Sequence, residues 1–242
     1  MSRTVWVRLG SLAAIVGGTT AALFAVFGLV MAGTQLLDAE SPFARSIFPF
    51  QVTVWEATPV VSALYLLALV GLSLRGASRA GALGWIGITT SVIGTFLVAA
   101  GNGYWSALVY SQAGGCVNPS SCSVYDPQHY GSVALIAQLL GMTLFAVGMI
   151  LYGIVALRQH VLRWNGAPLL IGLFALLSPA SYIFAVFVSA GTDYAGLLRV
   201  DLVLSAVALL LAAAWIALGV ALFPRKGEST APQAISANGS VG

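Results

Sequence analysis

Residues 65–87 read YLLALVGLSLRGASRAGALGWIG. An apolar run reaches Arg75, a few small residues turn the chain to Arg79, and a second apolar run begins. This is the pattern of a helical hairpin that crosses an apolar medium, turns at a polar surface and crosses back. Residues 152–172, YGIVALRQHVLRWNGAPLLIG, repeat it: an apolar run, an Arg, a turn, a second Arg, then Gly-Ala and another run containing Ile-Gly. A parallel duplication of hairpins keeps orientation and accounts for the likeness. So does the common look of short hairpins.

Working outward from these hairpins gives six apolar runs, at about 9–33, 53–74, 80–100, 130–157, 167–190 and 200–223. The chain has 242 residues, of which 59% are hydrophobic and 7% charged. A soluble domain carries about 25% charged residues, so lipid must be the solvent for much of this one. A span needs about 20 apolar residues. The second run reaches that length only when residues 53–58 are included. Inside a bilayer the backbone must satisfy its own hydrogen bonds, which predicts helices. The alternation of a β-barrel strand is absent. The first run follows Arg3 and Arg8, as a signal peptide would, but a signal core is only about 7–15 residues long. It is therefore expected to be an anchor.

Charge sorting predicts orientation. Arg3, Arg8, Arg75, Arg79, Arg158, Arg163, Arg225 and Lys226 flank the runs on one side, eight of the ten basic residues. The other side holds Arg45 and Arg199 with six of the seven acids: Asp38, Glu40, Glu56, Asp126, Asp193 and Asp201. Lys and Arg mark the cytoplasmic face. Both termini are thus expected in the cytoplasm, with loops 34–57, 101–129 and 191–199 outside. The net charge of +3 does not imply nucleic acid, because the basic residues are scattered in pairs at run ends and no stretch tracks phosphates.

Local signals agree. Thr58-Pro59 and Asp126-Pro127 each set a capping residue before a proline suited to the first helical position. Trp6, Trp55, Tyr104, Trp105, Tyr130 and Trp164 lie near run ends, where interfacial aromatics sit. In the first outer loop, Ser41-Pro42 followed by Phe43, Ile47, Phe48 and Phe50 suggests an interfacial helix or hairpin. Residues 224–242 have the composition of a disordered tail.

The Arg-turn-Arg-Gly-Ala pattern, followed by GWIGITTSVIGTFL, together with LRQHVLRWNGAPLLIG, resembles a large group of uncharacterised bacterial multi-span proteins of high-GC genomes. The likeness covers runs two to five. It implies a bacterial cytoplasmic membrane and no particular activity, cofactor or partner.

Few residues offer chemistry. Cys116 and Cys122 share the second outer loop. An outward loop meets an oxidising compartment, where such a pair closes, with about 2 kcal/mol expected for so small a ring. Two free thiols or a redox pair are the alternatives, and the spacing is not Cys-x-x-Cys. Glu56, Asp126, His129, Asp193, Arg199 and Asp201 gather on the outer face. They are candidates for a metal or hydrolase site. Capping and solvated charge explain them as well, since Glu56 and Asp201 lie near predicted helix starts. One outer His is too few for a multi-His zinc site, and no run centre holds a His for haem.

No Asp, Glu, Lys, Arg or His falls near the middle of any run. Proton relays, voltage sensors and ion-coupled carriers place such groups there. The interior polar residues are mild, among them Thr90, Ser91, Gln138, Thr143 and Ser178. Small residues four apart mark close helix contacts, within the bundle or between copies: Ala14, Gly18 and Ala22; Gly87 and Ser91; Ala213 and Ala217. Pro179 falls inside run five and is expected to kink it, with Gln138 or Thr90 as neighbours in a candidate cavity. The expected fold is an all-α, six-helix membrane bundle. The expected function is a non-enzymatic accessory, scaffold or regulatory subunit partnered by the bilayer, by other membrane subunits or by its own copies. A carrier or channel for a small neutral or lipid-like molecule is the alternative, and an outer-face enzyme the third reading.

Overall fold

The computed structural model describes residues 2–37, 58–113, 132–162, 164–189 and 194–223. Among these, all regular structure is helical. The elements are α1 (Arg3–Leu37), α2 (residues 58–72), a π-helical turn (Ser73–Ala77), α3 (Ser78–Ala113), α4 (Ser132–Gln159), α5 (Ala167–Ser189) and α6 (Tyr194–Leu222). Five stretches are long and apolar enough to cross a membrane: Arg3–Thr34, Thr58–Gly76, Ala80–Gly103, Ala134–Gln159 and Leu202–Leu222. Over its fully described part, Ala167–Ala180, α5 is apolar but shorter. The chain is a membrane-embedded helical protein.

Three helices outrun the apolar runs by more than three residues, α1 among them, reaching from Arg3 to Leu37 against about 9–33. α3 continues past residue 100 to Ala113, and α6 begins at Tyr194 rather than near residue 200. Part of the expected loops 101–129 and 191–199 is therefore helix. Hydropathy marks only the lipid-immersed part of a helix, and the backbone hydrogen-bond ladder does not stop at the lipid surface. At about 1.5 Å per residue, the 35 residues of α1 span about 52 Å, against about 30 Å of hydrocarbon.

Neighbouring helices run antiparallel, and small residues seven apart join them. On α3, Gly87, Gly94 and Gly101 face Gly148, Gly141 and Ala134 of α4. Each two-turn step up one helix is matched by a two-turn step down the other. A Cβ at Gly94 would lie 2.5 Å from the Gly141 carbonyl oxygen, and one at Gly148 2.5 Å from that of Gly87. The α1–α2 seam repeats the device with Gly10 on Gly71 and Gly17 on Leu64. The α1–α6 seam sets Gly18 on Ala212 and Gly219 on Ser11. In lipid no hydrophobic force drives helices together, so association relies on close packing and hydrogen bonds, and small residues permit both. A seven-residue repeat suits left-handed packing at a shallow crossing angle. α5 packs on α4 and α6, with Leu169 against Gly153 and Gly172 against Ile150.

The core lies among α2, α4 and α6. Leu69 and Leu72, Phe145, Met149 and Tyr152, and Trp215, Leu218 and Leu222 belong to one buried cluster. Trp215 is fully buried at its centre. Its ring stacks on Tyr65 (centroids 4.1 Å apart, planes within 4°) and on Phe145 (5.9 Å, 18°). The outer stripes carry large apolar side chains such as Leu12, Leu23, Phe96, Ile136 and Val220. Exposed apolar stripes of this extent suit lipid rather than water.

Candidate functional site

The hairpin turns are built differently from each other. After α2 the chain passes through the π turn. Gly76 there sits so close to α4 that a Cβ would lie 2.1 Å from the Tyr152 hydroxyl and 2.5 Å from Val161. Gly81 follows with φ 64° and ψ −161°, a region L side chains rarely adopt. The other turn ends α4 with His160 in the left-handed region (φ 50°) and a Val161 N–H donated to the Ala156 carbonyl at 3.3 Å. That bond skips one residue more than the helical ladder does, as in a Schellman cap. Asn165 holds this turn by accepting from Leu162 N–H at 2.7 Å, and its amide lies 3.3 Å from His160 Nδ1.

Arginines tie this end of the bundle together. Arg3, at the start of α1, donates to the Leu74 carbonyl from Nε at 2.7 Å and also from Nη2. Arg75 Nη1 donates to the Leu222 carbonyl at the end of α6. Both carbonyls lie at helix C-terminal ends, where orphan oxygens and the negative pole of the helix favour a cation. These ties bring the start of α1 and the ends of α2 and α6 to one face of the bundle, and the packing of Gly76 on Tyr152 and Val161 adds the end of α4.

Hydroxyls along the helices are returned to carbonyls, the exposed Thr143 included. Ser91 donates to Gly87 O at 2.9 Å, with Phe145 O at 3.4 Å. Thr95 donates to Ser91 O, Thr143 to Leu139 O, and Ser11 across the α1–α6 seam to Gly219 O at 2.6 Å. The Gln138 amide donates to Asn102 Oδ1 at 2.7 Å, joining the first third of α4 to the last third of α3. Tyr152 Oη and Trp215 Nε1 are buried without a hydrogen-bond partner.

The residues singled out from sequence fall into three groups. Gly18, Gly87 and Ser91 lie in helix seams, Gln138 is paired with Asn102, and Pro179 is buried inside α5. Having no N–H, Pro179 leaves the Ala175 carbonyl without its helical donor. Arg199 is exposed on α6, and Asp201 lies in the same helix, beyond its first turn. Glu56, Asp126, His129, Asp193, Cys116 and Cys122 lie outside the described residues, as do Asp126-Pro127, the first outer loop and residues 224–242. Among the described residues, no three His, Cys, Asp or Glu side chains are grouped to hold a metal ion.

On α6 the small residues serve two faces. The face of α6 turned to α1 carries Ala212, Ile216 and Gly219, whereas Ala213 is exposed and Ala217 half-buried. Four-residue spacing marks two faces of α6 equally well, and contact with Gly18 selects the other one. Sequence reasoning also passed over Asn102, the Tyr65–Trp215 stack and the two arginine ties. The recurrence of glycine at 87, 94, 101, 141 and 148 was the available signal for the α3–α4 seam. No family model, curated protein or solved structure matches the chain.

Proposed function

We propose that the protein is a six-span integral protein of a bacterial cytoplasmic membrane, with both termini in the cytoplasm, acting as a non-enzymatic accessory, scaffold or regulatory subunit. α5, 23 residues long, supplies the sixth span. The arginine-tied end is the cytoplasmic one, by the positive-inside rule. Cys116 and Cys122 form a disulfide in the outer loop.

The observation that carries the reading is the outer face of α6. Ala206 and Ala213 are exposed two turns apart, with Ala217 half-buried beyond them, between the exposed Val203, Leu210 and Val220. Small side chains between larger ones leave a shallow groove toward lipid, and such grooves receive a partner helix. The passage needed by the carrier reading finds less support. The seam from α3 through α4 to α5 is closed by Gly94 on Gly141, Gly153 on Leu169 and Gly172 on Ile150. Ser91 and Thr95 are buried with their hydroxyls bonded to carbonyls.

The test is crosslinking at the groove. With Cys116 and Cys122 replaced by Ser, Ala213→Cys in native membranes should give adducts to a second polypeptide or a second copy, and Phe96→Cys should not. Monomer alone at both positions contradicts the subunit reading.

A further inference from the structure

The described arginine side chains of the tied end divide into two kinds. Arg3 and Arg75 are spent on the Leu74 and Leu222 carbonyls. Arg8 and Arg158 are exposed, and neither makes a hydrogen bond or ion pair among the described residues. Arg8 continues the outward stripe of α1 that carries Val5, Leu12 and Val16, all exposed. Arg158 stands one turn beyond the exposed Ile154 on α4, beside the exposed Leu157. Both guanidinium groups therefore leave the protein at lipid-facing positions. Trp6, Trp85 and Trp164, exposed at the same end, set the depth of the headgroup layer there.

Arg8 has a further electrostatic need. It sits in the second turn of α1, whose first turn holds no acid. The positive pole of a helix disfavours a cation in its first turn, and only the tail of that effect reaches Arg8. Arg158, in the last turn of α4, has the negative pole of its own helix for company, so its need is smaller. A partner for Arg8 must be an anion, must lie at the membrane surface, and must reach a side chain set among apolar neighbours.

We infer that Arg8 and Arg158 bind the phosphodiester headgroups of anionic phospholipid in the adjacent leaflet, while Arg3 and Arg75 hold the bundle. The guanidinium fork matches two phosphate oxygens, and the acyl chains cover Leu12 and Ile154 below. This inference rests on the membrane-spanning reading but not on the subunit role.

The test uses the full chain in nanodiscs of phosphatidylcholine with graded phosphatidylglycerol. It measures the enrichment of phosphatidylglycerol around the protein and the melting temperature. Wild-type protein should enrich phosphatidylglycerol. Arg8→Gln should weaken that preference about fivefold, as expected for one surface arginine near anionic lipid, and Arg158→Gln by less. Both variants should melt close to wild type, and Arg8→Lys should restore part of the preference. Arg3→Gln should lower the melting temperature and leave the preference intact. Equal enrichment in wild type and the Arg8→Gln, Arg158→Gln double variant overturns the inference. So does displacement of the lipid by millimolar inorganic phosphate, or an acidic protein held at Arg8 in its place. Extraction of the chain from membranes by alkaline carbonate would instead defeat the spanning reading itself.

Discussion

Gly94 of α3 and Gly141 of α4 meet backbone to backbone. A Cβ at 94 would lie 2.3 Å from the Phe145 nitrogen and 2.5 Å from the Gly141 carbonyl oxygen, and one at 141 would lie 2.8 Å from the Gly94 carbonyl oxygen. No side-chain rotation relieves such contacts, because the opposing atoms belong to main chain. Gly94→Ala should therefore push the helices apart and destabilise the bundle by about 1–3 kcal/mol, the usual range for overpacking. Gly103→Ala is the control, since its Cβ would meet nothing within 4 Å. Thermal unfolding in mild detergent should separate the two variants clearly. Equal melting temperatures would mean that the α3–α4 seam is looser than described.

Gly81 tests backbone geometry rather than space. Nothing lies within 4 Å of its Cβ position, yet its φ is +64°. Gly81→Ala should cost about 1 kcal/mol through conformation alone. Gly81→Asn should cost as much, because ψ −161° lies outside the left-handed helical well that Asn tolerates and in a region open essentially to Gly alone. An Ala variant as stable as wild type would show that the chain leaves α2 for α3 by another path.

Tyr152 bears on the unpaired polar groups. Its hydroxyl is buried with no partner, and a buried hydroxyl left unbonded costs about 1–3 kcal/mol. Tyr152→Phe keeps the ring and removes the unsatisfied group, so the melting temperature should hold or rise. A fall of several degrees would reveal a bonded water or side chain at that hydroxyl.

The legible part of this fold is the part lipid dictates. Apolar runs must be helices where no water can satisfy the backbone, and the gathering of Arg3, Arg75 and Arg158 at one end of the bundle follows from their places beside the runs. Helix ends in water were harder, because residues 101–113 continue α3 with no change in lipid demand to mark them. The small-residue faces were half legible. Gly18 and Gly87 were picked out by four-residue spacing, but the seams use spacing of seven. Ala213 matched the shorter pattern while facing outward. The roles of Arg3 and Arg75 depend on which helix ends the fold brings together, and no local pattern encodes that. For the outer-face cluster, only Arg199 and Asp201 fall within the described residues, both on α6 rather than in a loop.

The most direct test of the six-span account is the sidedness of single cysteines in a background carrying Cys116→Ser and Cys122→Ser. A membrane-impermeant maleimide should label Ala113→Cys and Ser132→Cys in intact cells. Ser2→Cys, Ala77→Cys and Gly166→Cys should label only after the membrane is opened. Labelling of Gly166→Cys in intact cells, or of positions 113 and 132 only after opening, would contradict the account.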